Sequence, residues 1–203
     1  MTTPKGSPLA LTILGILHTR PLHPYGIQRL IKQWGKDQVV NVGQRATLYR
    51  TIDRLQAAGL VAVRETERDS QYPERTVYEI TEAGRRATRE WLEEMLTVPR
   101  KEFSDFPVAL SHVLMLEPAE ALQLLERREA QLSAAFQGLE ANAGAAEFLP
   151  RVVTLESEYV LKTAQAQLDW IRSVIADLRS GRLTWSMEEL AAIASGQTEQ
   201  YEE

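Results

Sequence analysis

No cysteine occurs among the 203 residues, so disulfide bonds, thiolate metal sites and cysteine nucleophiles are all excluded. Histidine is scarce as well, and the closest pair, His18 and His23, would not share one helical face. No hydrophobic run reaches the roughly 18 residues that a membrane-spanning helix requires. The first residues also lack the cleavage pattern of a signal peptide. We therefore expect a globular cytoplasmic protein with no bound metal and no membrane partner.

Patterns that carry catalysis are also missing. The glycines form neither a phosphate-binding loop nor a dinucleotide fingerprint, and there is no nucleophile elbow. The adjacent carboxylates Glu93-Glu94 and Glu188-Glu189 would point about 100° apart on a helix, which is typical of solvated charge. We predict that the protein is not an enzyme and uses no cofactor.

Charge is distributed unevenly along the chain, whose formal net charge is -5. Between Arg20 and Arg64, eight basic residues are opposed only by Asp37 and Asp53. After Met95 the acidic residues outnumber the basic ones. A basic segment in an acidic protein is typical of an electrostatic footprint confined to one domain, although many enzymes show the same segregation.

Two helices are predicted near the start of the chain. Ser7 and Pro8 have the character of an N-cap and a first helical residue, and the segment after them is apolar on almost all sides. Pro24 opens a second helix, which ends at Gly35. The apolar stripe of this second helix consists of Ile27, Leu30, Ile31 and Trp34.

A third helix is predicted within Gly43 to Leu60, with its end at Gly59. Leu48, Ile52 and Leu55 recur at helical spacing and form one apolar face. The opposite face carries long hydrogen-bond donors that suit phosphate oxygens and the base edges of a major groove. These donors are Gln44, Arg45, Thr47, Arg50 and Arg54. Taken alone, such a face is also what an ordinary solvated helix presents.

A β-hairpin is predicted directly after the third helix. Residues 60–67 and 76–80 alternate apolar and polar side chains, and the link between them is rich in turn formers. A hairpin on three helices is the arrangement of a winged helix-turn-helix, in which Arg68 and Arg75 would lie near DNA phosphates. Acidic residues of the same hairpin would weaken these contacts, namely Glu67, Asp69 and Glu74.

Thr81 can cap a fourth helix. The apolar stripe of this helix consists of Ala83, Ala87, Trp91 and Met95. With it, the segment from Leu9 to Leu96 resembles the winged-helix domain of PadR-like transcriptional regulators. The matching motifs, in order, are Tyr25-Gly26, Thr47-Leu48-Tyr49, Leu55, Gly59-Leu60, Tyr78 and Thr81-Glu82-Ala83-Gly84. Two positions depart from the family pattern: Glu74 lies in a wing tip that is usually basic, and Arg50 stands where a proline is common.

The resemblance implies a winged-helix domain over residues 1–98 that binds double-stranded DNA. Three side chains are expected to read bases, namely Arg45, Thr47 and Arg50, and Gln44 lies beside them. Three others are expected to contact the phosphate backbone, namely Tyr49, Arg54 and Arg75. For Tyr49, packing at the base of the helix is the alternative.

From Pro99 onward the chain becomes acidic and almost entirely helical. The spacings predict a helix over 107–116, a helix from Pro118, a loop over 142–148 and a last helix from Pro150 to about Gly181. Arg128 falls on the stripe of the second of these helices, where its stem would lie along the apolar face. A capping box at Ser186 and Glu189 predicts a short helix through Ile193, and the polar tail over 195–203 is expected to be disordered.

The last long helix would span about 45 Å at roughly 1.5 Å per residue, and its apolar stripe exceeds what one small domain can cover. The stripe consists of Val153, Val160, Ala164, Leu168, Ile171, Ile175 and Leu178. We predict that it pairs with a second copy of the chain, and the resemblance implies the same role for an all-α dimerisation domain over residues 99–194. A closed helical bundle within one chain is the alternative.

The four tryptophans are expected to lie in cores. The resemblance adds a second role, because several PadR-like regulators bind aromatic molecules where their two domains meet. Trp91 lies at the predicted junction and is the expected contact for a small aromatic effector.

These observations predict a mainly α protein, with an N-terminal winged helix-turn-helix of three helices and a two-stranded wing, followed by an all-α dimerisation domain. The expected function is a homodimeric transcriptional repressor that binds an inverted-repeat operator. A small aromatic ligand would either release the DNA or promote its binding. The alternative is a helical adaptor that uses the winged-helix fold for protein contacts and does not bind duplex DNA.

Overall fold

The computed structural model describes residues 6–42, 45–67, 75–101, 103–145 and 148–186. The chain divides into two compact units, Met1–Lys101 and Glu102–Glu203. The division lies three residues after the predicted boundary, and the assignment of 1–98 and 99–194 as domains stays a prediction. In the part of the chain that the structure describes, no helix is long and apolar enough to cross a membrane.

The first unit has the element order of a winged helix-turn-helix, which confirms the predicted fold class. Its elements are α1 (Pro8–Leu17), α2 (Pro24–Gln33), a 3-10 turn (Lys36–Gln38), α3 (Arg45–Ala57), β1 (Val61–Glu67), β2 (Arg75–Ile80) and α4 (Glu82–Thr97). The Ser7 side chain caps α1 by accepting a hydrogen bond of 3.2 Å from the backbone N–H of Ala10. Thr81 caps α4 through the N–H of Gly84 at 3.0 Å. Both predicted helix starts are confirmed.

One hydrophobic core joins the helices of the first unit. Its most buried side chains include Ile13 of α1 and Leu48 of α3. Gly84 lets the first turn of α4 approach the preceding chain, because a Cβ there would collide with the carbonyl oxygen of Leu60. The predicted core position of Trp34 is wrong: α2 ends at Gln33, and the Trp34 side chain is 47% exposed.

The predicted hairpin is confirmed, because β1 and β2 pair antiparallel with Val61 opposite Ile80. A β-bulge makes Arg64 the extra residue of β1. One pairing was not predicted: the backbones of Leu22 and Tyr78 exchange two hydrogen bonds of 3.0 Å. The connection between α1 and α2 is thereby held against the outer side of β2.

The described residues of the second unit are helical and consist of α5 (Asp105–Ser111), a 3-10 turn (Val113–Met115), α6 (Pro118–Ala145) and α7 (Arg151–Ser180). The predicted loop over 142–148 is wrong in its first part, because α6 continues to Ala145. The predicted end of the last helix is confirmed, because Gly181 caps α7 with a φ of 73°. The capping box and short helix at 186–193 and the tail at 195–203 lie outside the described residues, apart from Ser186.

The core of the second unit lies between α6 and α7. It consists of Leu125, Ile171 and Ile175, with Phe106 of α5 packed against it. The Arg128 guanidinium lies on the Phe106 ring, with its carbon 3.6 Å from the ring centroid. The predicted placement of the Arg128 stem along an apolar surface therefore agrees with its position in the fold.

The apolar stripe predicted on the last helix requires a correction. Leu168, Ile171 and Ile175 are buried inside the protomer, and Ile171 is only 1% exposed. For these three side chains the intramolecular alternative applies, because a surface that is already covered cannot also cover a second copy. The other members of the stripe range from Leu178, which packs against the same core, to Val153, which is 49% exposed.

Candidate nucleic-acid interface

The apolar face of α3 holds the helix firmly in the first unit. Leu48, Ile52 and Leu55 are all buried in the core, which confirms the predicted stripe. At the helix end the N–H of Leu60 donates to the Leu55 carbonyl at 2.9 Å, and Gly59 has a φ of 70°. This is a Schellman ending, which satisfies the last carbonyls and makes the chain leave α3 toward β1.

The other side of α3 presents three of the predicted DNA contacts to solvent. Tyr49 is 48% exposed, and Arg50 and Arg54 are exposed as well. The Arg50 Nε donates to the Ala46 carbonyl at 3.3 Å, so its side chain lies back along the helix. Thr47 is half-buried beside them. Guanidinium groups on an exposed helix face can pair with phosphates or with the acceptor edge of guanine.

A hydroxyl inside α3 was not identified from the sequence. Thr51 is 2% exposed, and its hydroxyl donates to the Thr47 carbonyl at 2.8 Å. The same oxygen accepts a hydrogen bond of 3.3 Å from Nη2 of Arg54. Thr51 lies one turn after Thr47 and three residues before Arg54. This spacing was the available signal in the sequence, because such residues are neighbours on a helix.

The phenol of Tyr78 on β2 lies near the base of α3. Burial raises the pKa of Tyr78 above its ordinary value of 10.0, and the nearby Asp53 and Tyr49 raise it further. Tyr78 therefore remains a neutral phenol at physiological pH. Asp53 is the one acidic residue within α3; its charge acts on this phenol, and no described ion pair joins it to an arginine.

The start of α2 carries two aromatic side chains whose contacts were not predicted from the sequence. Nδ1 of His23 caps α2 by accepting a hydrogen bond of 2.8 Å from the N–H of Gly26. The His23 ring stacks on Tyr25, which is exposed. A histidine directly before Pro24 was the available signal, because a proline at the first helical position makes the residue before it the cap.

Several predicted contacts lie outside the described residues. Gln44 and the wing residues Arg68, Asp69 and Glu74 are among them. The backbones of Arg45 and Arg75 begin α3 and β2, but their side chains are not described. Their predicted roles stay predictions.

Trp91, the predicted effector contact, lies in the core of the first unit and is 4% exposed. Gly6 packs so closely on the indole that a Cβ there would overlap the ring. The expectation that Trp91 is a core residue is confirmed, and its predicted role toward a ligand stays a prediction. Among the described residues, no group of three or more acidic or imidazole side chains could hold a metal ion.

A ridge of apolar side chains runs along an exposed side of α7, and at one end the Trp170 ring meets the Phe106 ring edge-on, with their centroids 6.0 Å apart. The ridge consists of Val152, Leu155, Tyr159, Ala166 and Trp170, all of which are exposed. At 100° per residue these positions fall within about 60° of one another and nearly opposite the buried Leu168 and Ile175. The stripe predicted from the sequence includes the face that packs on α6. The exposed face described here was not predicted, and we call it the α7 ridge.

Comparison with known proteins shows which family and which solved structures this geometry is similar to. Residues 13–90 match the model of the "Transcriptional regulator PadR-like family". No curated protein matches the chain.

The fold is similar to that of several solved structures. Bacillus subtilis PadR in complex with operator DNA is 19% identical with a TM-score of 0.70, and the match covers 85% of this chain and 99% of that chain. The same protein in complex with p-coumaric acid is 18% identical with a TM-score of 0.70 and the same coverage. The Vibrio cholerae virulence activator AphA is 20% identical with a TM-score of 0.65, over 85% of this chain and 98% of that chain. Residues 13–90 of the N-terminal unit therefore match the PadR-like family of transcriptional regulators, and the fold of the chain is similar to that of solved PadR structures.

Proposed function

We propose that the protein is a transcriptional repressor that binds an inverted-repeat DNA operator as a homodimer. The observation that carries this proposal is the division of α3 into two faces. One face, with Leu48 and Ile52, is locked into the core, and the other presents Tyr49, Arg50 and Arg54 to solvent. A rigid helix with exposed guanidinium groups is the element that helix-turn-helix proteins insert into a major groove.

Some of these side chains contact bases and others contact the phosphate backbone, according to their position on the helix and their chemistry. Arg50, with Arg45 and Thr47 near the helix start, reads base edges, because the first turns of a recognition helix enter the groove. Arg54 and Tyr49 bind phosphate oxygens, together with Arg75 on the wing. The similarity of the fold to a PadR that was solved with operator DNA supports this assignment.

The α7 ridge supplies the surface for a second copy. Its apolar side chains are exposed over about 27 Å of helix, from Val152 to Trp170, and a monomer leaves them in water. A two-fold axis between two α7 helices would bring two ridges together and so join two α3 helices in one dimer, as an inverted repeat requires. This assignment replaces the buried part of the predicted stripe. Val153, Val160, Ala164 and Leu178 lie on another side of α7, and their dimer contacts stay predictions.

A small aromatic effector would regulate the DNA complex. The support for this part is the similarity to a PadR that was solved with p-coumaric acid. Trp91 was the predicted contact, but Trp34 is half-exposed and would report ligand binding more directly. Titration of intrinsic tryptophan fluorescence with aromatic carboxylates, in the presence and absence of DNA, tests binding and shows whether the ligand releases or promotes the complex.

Selection of bound duplexes from a random pool, followed by fluorescence anisotropy on the winning sequence, tests the proposal as a whole. We expect an enriched inverted repeat and an affinity that falls steeply as salt rises, because binding neutralises phosphates and releases counterions. An unenriched pool, or binding that does not respond to salt, would contradict the proposal and favour the protein-adaptor alternative.

A further inference from the structure

The Thr51 hydroxyl has two partners on α3, and this double contact sets it apart. It donates to the Thr47 carbonyl at 2.8 Å, and its oxygen accepts from Nη2 of Arg54 at 3.3 Å. The side chain is 2% exposed, so this polar group is buried. The hydroxyl therefore links an exposed guanidinium to the backbone one turn earlier in the helix.

The hydrogen bond to Thr47 is not unusual in itself, because threonines inside helices often donate to the carbonyl four residues earlier. Thr88 of α4 makes the same bond, to the Gly84 carbonyl at 2.8 Å, and is also buried. Among the described hydrogen bonds, none joins Thr88 to a guanidinium. The contact with Arg54 is therefore what distinguishes Thr51 from a threonine that only packs.

We propose that Thr51 is a positioning residue that holds the Arg54 guanidinium in place for a DNA phosphate. The inference rests on the proposed DNA binding of α3. An arginine side chain has several rotatable bonds, and fixing it on a phosphate costs conformational freedom. The Thr51 contact removes part of that freedom before DNA arrives, so less is lost on binding.

The geometry leaves Arg54 able to bind. Only Nη2 is engaged by Thr51, and a guanidinium has five N–H donors in total. Arg54 is exposed, whereas Thr51 is buried behind it. Thr51 acts through Arg54 and does not itself reach the duplex.

Thr51→Val is the direct test, because valine has the shape of threonine and lacks only the hydroxyl. We expect the dissociation constant for the selected duplex to rise about two- to fivefold at fixed salt, the effect of one hydrogen bond to a partly exposed charged group. Thr51→Ser should restore the wild-type value, because serine keeps the acceptor. Thr51→Ala serves as a second variant that removes the hydroxyl if valine disturbs folding.

Two comparisons separate positioning from packing. Thr88→Val makes the same chemical change at the same kind of buried hydrogen bond, and it should leave the dissociation constant unchanged. In an Arg54→Gln background, Thr51→Val should have no further effect, because the guanidinium that it positions is gone. Thermal unfolding of every variant checks that the fold is kept.

The outcomes are distinct. A wild-type affinity for Thr51→Val, or a loss of affinity that persists in the Arg54→Gln background, would overturn the positioning role while leaving DNA binding intact. A wild-type protein that binds no duplex in a salt-dependent way would overturn the proposed function, and the positioning role with it.

Discussion

The helices α3 and α7 both carry an apolar stripe that the sequence reveals, yet the two stripes have different value as functional signals. In α3 the stripe is the buried side, and the candidate site lies on the polar face opposite to it. In α7 three members of the stripe are buried inside the protomer, and the surface that remains for a partner is the α7 ridge, which was not predicted. An apolar stripe therefore predicts that a helix face is buried. It does not show whether that face packs against the same chain or against a second copy.

The largest expected effect is a loss of stability at a buried position of α7. It tests whether the positions of the predicted stripe differ in their contribution to the fold. Ile171→Ala removes a fully buried side chain between α6 and α7, so it should lower the free energy of unfolding by about 2–5 kcal/mol. Val153→Ala changes another member of the same predicted stripe that is half-exposed, and it should cost much less. Chemical denaturation at several protein concentrations measures both. Equal losses of unfolding free energy in the two variants, or a loss for Ile171→Ala that vanishes at low protein concentration, would indicate that Ile171 lies in the dimer interface.

Much of the first unit was predictable because its signals are local. These signals act within one or two helical turns, and all of them agree with the structure. They are the Ser7 cap, the helix end at Gly59 and the spacing of Leu48 and Ile52. The pairing of Leu22 with Tyr78 was not predictable in this way, because it joins backbones that are far apart in sequence.

The candidate site was predictable as a face but not as a network. The exposure of Arg50 and Arg54 follows from helical periodicity once the apolar side is known. The role of Thr51 depends on a side-chain contact within a buried environment, which periodicity does not specify. On α7 the choice between two apolar faces depends on where α6 lies, and the sequence does not contain that information in a local form.

The second prediction tests whether the α7 ridge is the dimer interface. Tyr159→Lys places a charge in the middle of the α7 ridge, where Tyr159 is 73% exposed in the protomer. Because a two-fold interface contains every substitution twice, the dimer dissociation constant should rise by about 100-fold or more. Analytical ultracentrifugation measures the change. Ala176→Lys adds the same charge at an exposed position of α7 beyond the ridge and should leave the dimer intact; dimers of equal strength in both variants would disprove the ridge assignment.

The third prediction concerns the outer side of α3. Arg50→Ala should cost about 1–3 kcal/mol of binding free energy at the selected duplex and should weaken the preference for its bases. Arg89→Ala removes the same charge from an exposed position of α4 and should change the affinity much less. Anisotropy titrations on the selected duplex and on single-base variants measure both quantities. An unchanged affinity for Arg50→Ala at fixed salt would count against its base-reading role.

The smallest expected effect lies at the rim of the α6–α7 contact. Hydrogen bonds from Arg172, at 2.8 Å, and from Ser133 hold the pKa of Glu129 below its ordinary value of 4.5. A carboxyl with a lowered pKa in the folded state stabilises the fold above its unfolded pKa, and this contribution is lost as the pH falls through the folded pKa. Arg172→Met should therefore be slightly less stable than wild type at pH 7, and the difference should shrink below about pH 4.5. Because the carboxyl is exposed to solvent, the effect is small.

Arg127→Met removes the same charge from an exposed position of α6 and has no described ion pair, so its stability difference from wild type should lack this pH dependence. Denaturation of the three proteins between pH 3 and pH 7 provides the comparison, and parallel curves for both variants would show that the Arg172 contact does not stabilise the pairing of α6 with α7.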